Sequence, residues 1–412
     1  MPQRPRQRAG EAEASPGVRL PGIPSVANPD PAAPGSPRNV TLSWAETQPE
    51  RPARDVLVRL IALTDHAHDV GDLDLYLLDQ GDEGEWSGSI LLSSDLRTSY
   101  QLCPVRDEPV RGRPPDDDRW LEILAMGIAD VSNPATLPAS CTYGNSGVAS
   151  ILELPDALAQ PWHPRRQGVP SGAVTRHELA LDGAESSVVF VYTPPGPASS
   201  GGQYPVAVLF DGGSWMTLDV AATFDNLIAD GLIPPMVAVL IESIHGAARF
   251  GPGRVRNLTD PETFMPFLLE ELIPFVDASW NVSADPAMTI LVGQSLGGLA
   301  AAHAALTAPH RFGGVVGQSS SFWWPGGPSG RLTGEDVLHA YSTGTHAPIR
   351  FFLEAGATER DLLEQNRRMR RVLEERGYDL TYREYQGGHD YACWRGGLAD
   401  ALIAMLRPFS ER

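Results

Sequence analysis

Ser295 lies in the run GQSLGG at positions 293–298, between the apolar stretch AMTILV and the small-residue stretch GLAAAHAALTA. A serine hydroxyl becomes a nucleophile only when a base takes its proton. The pattern G-x-S-x-G, entered from a strand and left into a helix, sets the serine on a sharp corner with its Oγ projecting from the top of a sheet. Gly293 and Gly297 leave room for that corner. A chance glycine-rich turn has the same letters; the flanking strand and helix patterns favour the nucleophile.

In this arrangement the chain order is serine, acid, histidine. His303, His310, His339, His346 and His389 follow Ser295. The first two sit on or just after the nucleophile helix, and the next two precede the strand expected to carry the acid. His389 follows a final strand, in YQGGHDYACW, and is the expected base. The acid, which orients the histidine and stabilises its charged form, is expected at the top of PIRFFLEAG or just beyond it. The candidates are Glu354, Glu359 and Asp361. Glu359 stands past the Ala-Gly-Ala turn and is favoured; Glu354, still inside the strand, comes next. Asp390 reads as a solvated or capping residue. The oxyanion of the tetrahedral intermediate needs two N–H donors. Leu296 is expected to supply one and Gly213, or its neighbour Gly212, the other from DGGSW.

Trp215, Phe322, Trp323, Trp324 and Trp394 fall in segments expected at the strand tops, where they suit a pocket for flat, apolar groups or ordinary core packing. Arg249, Arg254 and Arg256 follow PMVAVLIES at the same end. They read either as capture groups for an anionic substrate or as a solvated basic loop.

These groups need a frame. From residue 174 onward SSVVFVYTP, PVAVLFDGG, PMVAVLIES, AMTILVGQ, GGVVGQSS, PIRFFLEAG and LTYREYQGG alternate with helical patterns. Near-continuous apolar strands of this kind are expected for parallel strands buried on both faces, and their alternation with helices implies a doubly wound sheet. Residues 40–153 carry short alternating runs separated by turn residues, as a β-sandwich does. Residues 154–173 read as a linker and residues 1–39 as a disordered tail. The expected fold is α/β: an α/β-hydrolase domain (174–412) preceded by a β-sandwich domain.

The 412 residues are 42% apolar and carry a net charge of −19. That balance is poor for a nucleic-acid partner. No stretch reaches the roughly 20 apolar residues of a membrane helix. The start lacks the apolar core of a secretory signal, so a cytoplasmic location is expected. Three scattered cysteines support neither a disulfide framework nor a zinc cluster.

LFDGGSW, GQSLGGL, GQSSSFWWP, FLEAGATE and GGHDYACWRGGL resemble the enterochelin esterase family, whose members hydrolyse ferric catecholate siderophores. In the front part LIALTDHAHD, SYQLCPVRD, IADVSNPATLP and SILELPDALAQPW resemble the N-terminal domain of that family. The resemblance implies an Ig-like front domain, a C-terminal α/β-hydrolase domain and cleavage of a trilactone ester backbone. It places Ser295 as nucleophile and His389 as base, and matches Arg249 to a family arginine. The ferric complex is anionic and aromatic-rich, which suits arginine and tryptophan in the pocket. No cofactor and no protein-bound metal are implied; iron is cargo. One departure is RFGPGRVRNLTD, which lacks the family's Arg-x-x-Glu-Leu run. It leaves open another catecholate or another ester-linked oligomer. A general or feruloyl-type carboxylesterase, a mycolyl-type acyltransferase and a siderophore-binding module without turnover are the competing readings.

Overall fold

The computed structural model describes residues 25–26, 35–64, 73–82, 84–112, 116–142, 147–182, 185–197, 202–242, 252–326 and 331–409. Arg249 and most of the expected N-terminal tail lie outside them. The chain forms two compact units, Met1–Leu158 with Gln386–Cys393, and Ala159–Tyr385 with Trp394–Arg412.

The first unit holds two four-stranded sheets. In chain order its strands are β1 (Ser25–Val26), β2 (Pro37–Ala45), β3 (Asp55–Leu60), β4 (Asp79–Gln80), β5 (Glu85–Ser93), β6 (Arg97–Val105), β7 (Thr136–Leu137) and β8 (Ala149–Glu153). One sheet runs β1-β2-β5-β4 and the other β3-β6-β8-β7. β2 alternates buried Val40, Leu42 and Trp44 with outward polar residues, and these join Val56, Val58, Leu102 and Trp120 in one core. This is the sandwich that the alternation implied. Within the alternating region, DLDLYLLD contains a 3-10 turn at Leu73–Tyr76 rather than a continuous strand. Leu73 and Tyr76 are three residues apart and eclipse on such a turn. The helix Asp117–Ala125, capped by the Asp116 side chain, starts with the charged run DDDR, which has the composition of a loop.

The first unit also includes the segment after the last strand of the chain. The N–H of Arg97 donates to Gln386 O (3.1 Å), and the N–H of Ser99 donates to Asp390 Oδ2 (2.5 Å).

The second unit is an eight-stranded sheet flanked by helices, with order β16-β15-β14-β13-β11-β12-β10-β9. Its strands are β9 (Ala173–Asp182), β10 (Glu185–Thr193), β11 (Val206–Leu209), β12 (Val237–Ile241), β13 (Thr289–Gln294), β14 (Gly314–Gln318), β15 (Arg350–Gly356) and β16 (Asp379–Tyr385). β11 to β16 are parallel; β10 and β9 close one side antiparallel. Every residue of β11, β12, β13 and β14 is buried, which is why these strands read as unbroken apolar runs. β9 was missed because, at the edge, it is largely solvated and carries Arg176, His177 and Glu178. The chain leaves β11 toward β12 on one side and returns to β13 on the other. The loops after β11 and β13 therefore flank a switch point, the usual place for a site in such sheets.

The segment read as a linker is strapped to the helix Val220–Ala229. Buried Asn226 donates to the carbonyls of Trp162 and Pro164 (both 2.8 Å) and accepts from Arg166 Nε (2.9 Å). The three cysteines are buried and form no disulfide. No described helix is long and apolar enough to cross a membrane.

Candidate active site

β13 ends at Gln294 and the helix Leu296–Thr307 begins two residues later, so Ser295 makes the whole corner. Its backbone sits at φ 57°, ψ −122°, a conformation that costs an L-residue energy and recurs at functional turns. Gly293 is obligatory: a Cβ there would lie 2.1 Å from the backbone C and O of Gly297. At Gly297 the added atom meets Phe210 Cβ at 3.2 Å, a milder conflict. The Ser295 N–H donates to Gln318 O (3.1 Å), and Ser321 N–H donates to Ser295 O (2.9 Å). The Ser295 Oγ lies 3.1 Å from the Ser321 Oγ. Ser321 was not singled out in the sequence, although GQSSSFWWP contains it.

β11 pairs with β13, Leu209 opposite Val292, so the DGG loop opens beside the Ser295 corner. Asp211 turns at φ 58° and the helix Gly212–Thr217 starts at once. A Cβ on Gly212 would lie 2.7 Å from the Leu240 carbonyl carbon, so only glycine fits. The first N–H groups of a helix have no intrahelical acceptor. Among the described residues, none accepts from the N–H of Gly213 or Leu296. Adjacent strand tips thus present two backbone donors, the equipment an oxyanion requires.

Asp211 is held by Arg254, Nε to Oδ1 at 2.6 Å and Nη2 to Oδ2 at 2.5 Å, with both side chains buried. This corrects one expectation: Arg254 points inward to brace the DGG loop and is committed there rather than offered to an anion.

Glu359 follows β15 by three residues and is buried. Its Oε2 accepts from Ser319 Oγ (2.7 Å) and from Gly356 N–H (2.6 Å). Ser319, itself at φ 48°, also engages the Tyr385 hydroxyl (3.1 Å) and accepts from Trp394 Nε1 (3.1 Å). One hydroxyl donor and two lone pairs are thereby used in full. Glu354 is employed differently. It is fully buried, bound to Arg383 (2.6 Å) and to Gln318 Nε2 (2.5 Å). Burial pushes its carboxyl up, and the neighbouring Arg383 works the other way. Asp361 is exposed in the first turn of the helix Arg360–Glu375.

His389 is half-buried, four residues past the end of β16. The strands β13 to β16 are parallel, so β16 ends at the same sheet edge as the strands that lead into Ser295 and Glu359. Asp390 is buried rather than solvated. It caps the following helix, Oδ1 accepting from Ala392 N–H (2.9 Å), and Oδ2 takes the Ser99 N–H. His303 is occupied elsewhere, edge-on to Phe264, and His346 stacks on Tyr378.

The expected aromatic pocket is largely interior. Trp215 and Trp394 are 1% and 0% exposed, and Phe322 is buried. Trp215 Nε1 donates to Gln294 Oε1 (3.2 Å), which makes the ring part of the floor beneath the corner rather than an open stacking face. Trp323, 47% exposed, is the outward ring of the set. Arg249 lies outside the described residues.

The model of the Esterase family matches residues 184–405, and the model described as "Enterochelin esterase, N-terminal" matches residues 39–163. The iron(III) enterobactin esterase of Escherichia coli strain CFT073 is 30% identical over 390 residues, 90% of this chain and 92% of that protein. A crystal structure of ferric enterobactin esterase from Salmonella typhimurium is similar with TM-score 0.78 at 29% identity, covering 92% of this chain and 95% of that one. The Shigella flexneri enterobactin esterase, crystallised in the presence of enterobactin, has TM-score 0.78 at 27% identity, covering 94% of this chain and 96% of its own.

Proposed function

The chain belongs to the enterochelin esterase family, and from that premise we propose that it is a serine esterase that hydrolyses the ester backbone of a ferric catecholate siderophore such as enterobactin. The observation that carries the catalytic reading is the strained Ser295 corner beside the glycine-rich β11 tip, with backbone donors at both.

In this reading His389 takes the Ser295 Oγ proton as Oγ bonds to the ester carbonyl carbon. The N–H groups of Leu296 and Gly213 hold the oxyanion. The carbon–oxygen bond to the leaving alcohol breaks, and the alcohol takes the proton from the imidazolium. Water then attacks the acyl-enzyme, giving its proton to His389. Collapse releases the carboxylic acid and returns a proton to Ser295. Glu359 orients and charge-stabilises the histidine, with Ser319 holding the carboxylate in place. Arg249 is assigned to the anionic substrate and Trp215 to the pocket's floor.

Breaking a hexadentate trilactone yields shorter, weaker chelators, from which iron is more readily reduced and released; a cytoplasmic setting suits that step. Feruloyl esterases are a distant second. One such curated relative, from Xylanibacter ruminicola, is matched over 24% of its own length.

The test is mass spectrometry of ferric enterobactin, its glycosylated and amino-acid-spaced relatives and a simple feruloyl ester, offered in parallel. Fragments of the siderophore backbone support the proposal; turnover of the feruloyl ester alone overturns it.

A further inference from the structure

A row of polar side chains crosses the sheet one residue below the catalytic corner. Gln294, Gln318, Glu354 and Arg383 are direct register partners on four neighbouring parallel strands. Trp215 Nε1 donates to Gln294 Oε1 at 3.2 Å; Gln294 Nε2 donates to Gln318 Oε1 at 2.8 Å. Gln318 Nε2 donates to Glu354 Oε1 at 2.5 Å and to Trp394 O at 2.9 Å. Arg383 closes the row, Nε to Glu354 Oε2 at 2.7 Å and Nη1 to Asp400 Oδ2 at 2.6 Å. Gln294, Gln318 and Glu354 are 1%, 0% and 0% exposed. The neighbouring helix makes room: a Cβ on Gly397 would lie 2.0 Å from Glu354 Oε1.

The row has one allowed polarity. An indole N–H only donates and a carboxylate only accepts, so the two ends dictate that both amides present oxygen toward Trp215 and nitrogen toward Glu354. A network satisfied along its length is rigid, and each missing member leaves buried polar atoms unpaired. Apolar residues would fill these strand ends at lower desolvation cost. What the row adds is position. Ser295 follows Gln294, Ser319 with its bond to Glu359 follows Gln318, and Gly213 precedes Trp215 by two residues.

We propose that Gln294, Gln318 and Glu354 are positioning residues, a polarised buried row that locks the nucleophile, the anchor of the acid and the oxyanion loop into one mutual register. The proposal rests on the assignment of Ser295 as nucleophile. It assigns Glu354 the role of fixing the row's direction, not that of triad acid.

The test measures, on the full chain, the rate of fluorophosphonate labelling at Ser295, kcat and KM on ferric enterobactin, and thermal midpoints. The variants are Gln294→Met, Gln318→Met and the near-isosteric Glu354→Gln. Leu338→Ala, a buried change in the helix Gly334–Thr343, serves as a control for lost stability alone. Each row variant is expected to label about 10-fold to 100-fold more slowly and to lose kcat in parallel. KM is expected to stay within about twofold of wild type. These magnitudes are those of mispositioned catalytic groups. Leu338→Ala is expected to label at the wild-type rate. Should Gln318→Met not fold, Glu354→Gln and Gln294→Met decide. Folded row variants that label at the wild-type rate overturn the proposal. Wild-type protein that fails to label at Ser295 overturns the nucleophile assignment, and the proposal with it.

Discussion

Arg254 grips Asp211 through two parallel hydrogen bonds across 43 residues of chain, at the left-handed residue that starts the glycine-rich loop beside Ser295. Bidentate geometry of this kind fixes orientation as well as charge. Removing one partner of a buried pair strands the other charge, which costs about 3–5 kcal/mol. Arg254→Ala is therefore expected to lower the free energy of unfolding by about that amount, measured by denaturant titration. Arg254→Lys, which lacks the fork, is expected to recover only part of it.

Glu359 and Asp361 separate the orienting role from mere negative charge nearby. Glu359→Gln is expected to lower kcat by about 10⁴-fold, the scale seen when a triad acid is neutralised. Asp361→Asn, at an exposed helix start, is expected to leave kcat unchanged. Steady-state kinetics on one siderophore ester reads both.

Asp390 caps the last long helix and takes the Ser99 N–H, directly after the expected base. Loss of an N-cap costs about 0.5–2 kcal/mol. Asp390→Ala is expected to lose that much stability and to lower kcat more than KM changes, because His389 loses its fixed neighbour. A variant with unchanged kcat would remove Asp390 from any positioning role.

Acid sensitivity follows from His163 and His303. Burial, helped by the nearby Arg395 guanidinium, holds the His163 imidazole down at about 4, and burial lowers His303 as well. A histidine whose folded pKa is depressed is neutral in the native state while the unfolded chain binds the proton. Its contribution is complete above the unfolded value near 6.5 and is lost as pH falls toward the folded value. Thermal midpoints are expected to drop between pH 7 and pH 4.5, and His163→Gln is expected to flatten part of that slope.

The parallel strands were legible because burial on both faces writes itself as apolar runs such as TILV and VAVL. The Ser295 corner was legible because its glycines serve local sterics. β9 was not, since a solvated edge strand has no apolar signature. The Asp211–Arg254 pair and the Gln294–Gln318–Glu354 row were not, because register between strands is set by tertiary pairing. Trp215 and Trp394 were read toward a pocket on position alone; their N–H groups serve buried partners instead. The Thr333 capping box of the helix Gly334–Thr343 is local, and its signal stands in the sequence as TGED.

Whether Ser295 is the nucleophile is read from ferric enterobactin turnover by wild type and by Ser295→Ala. The expected result is cleavage of the trilactone by wild type, seen as linear fragments in the mass spectrum, and a loss of about 10⁵–10⁶-fold in the folded variant. Turnover by Ser295→Ala at a rate near wild type would show that another group is the nucleophile.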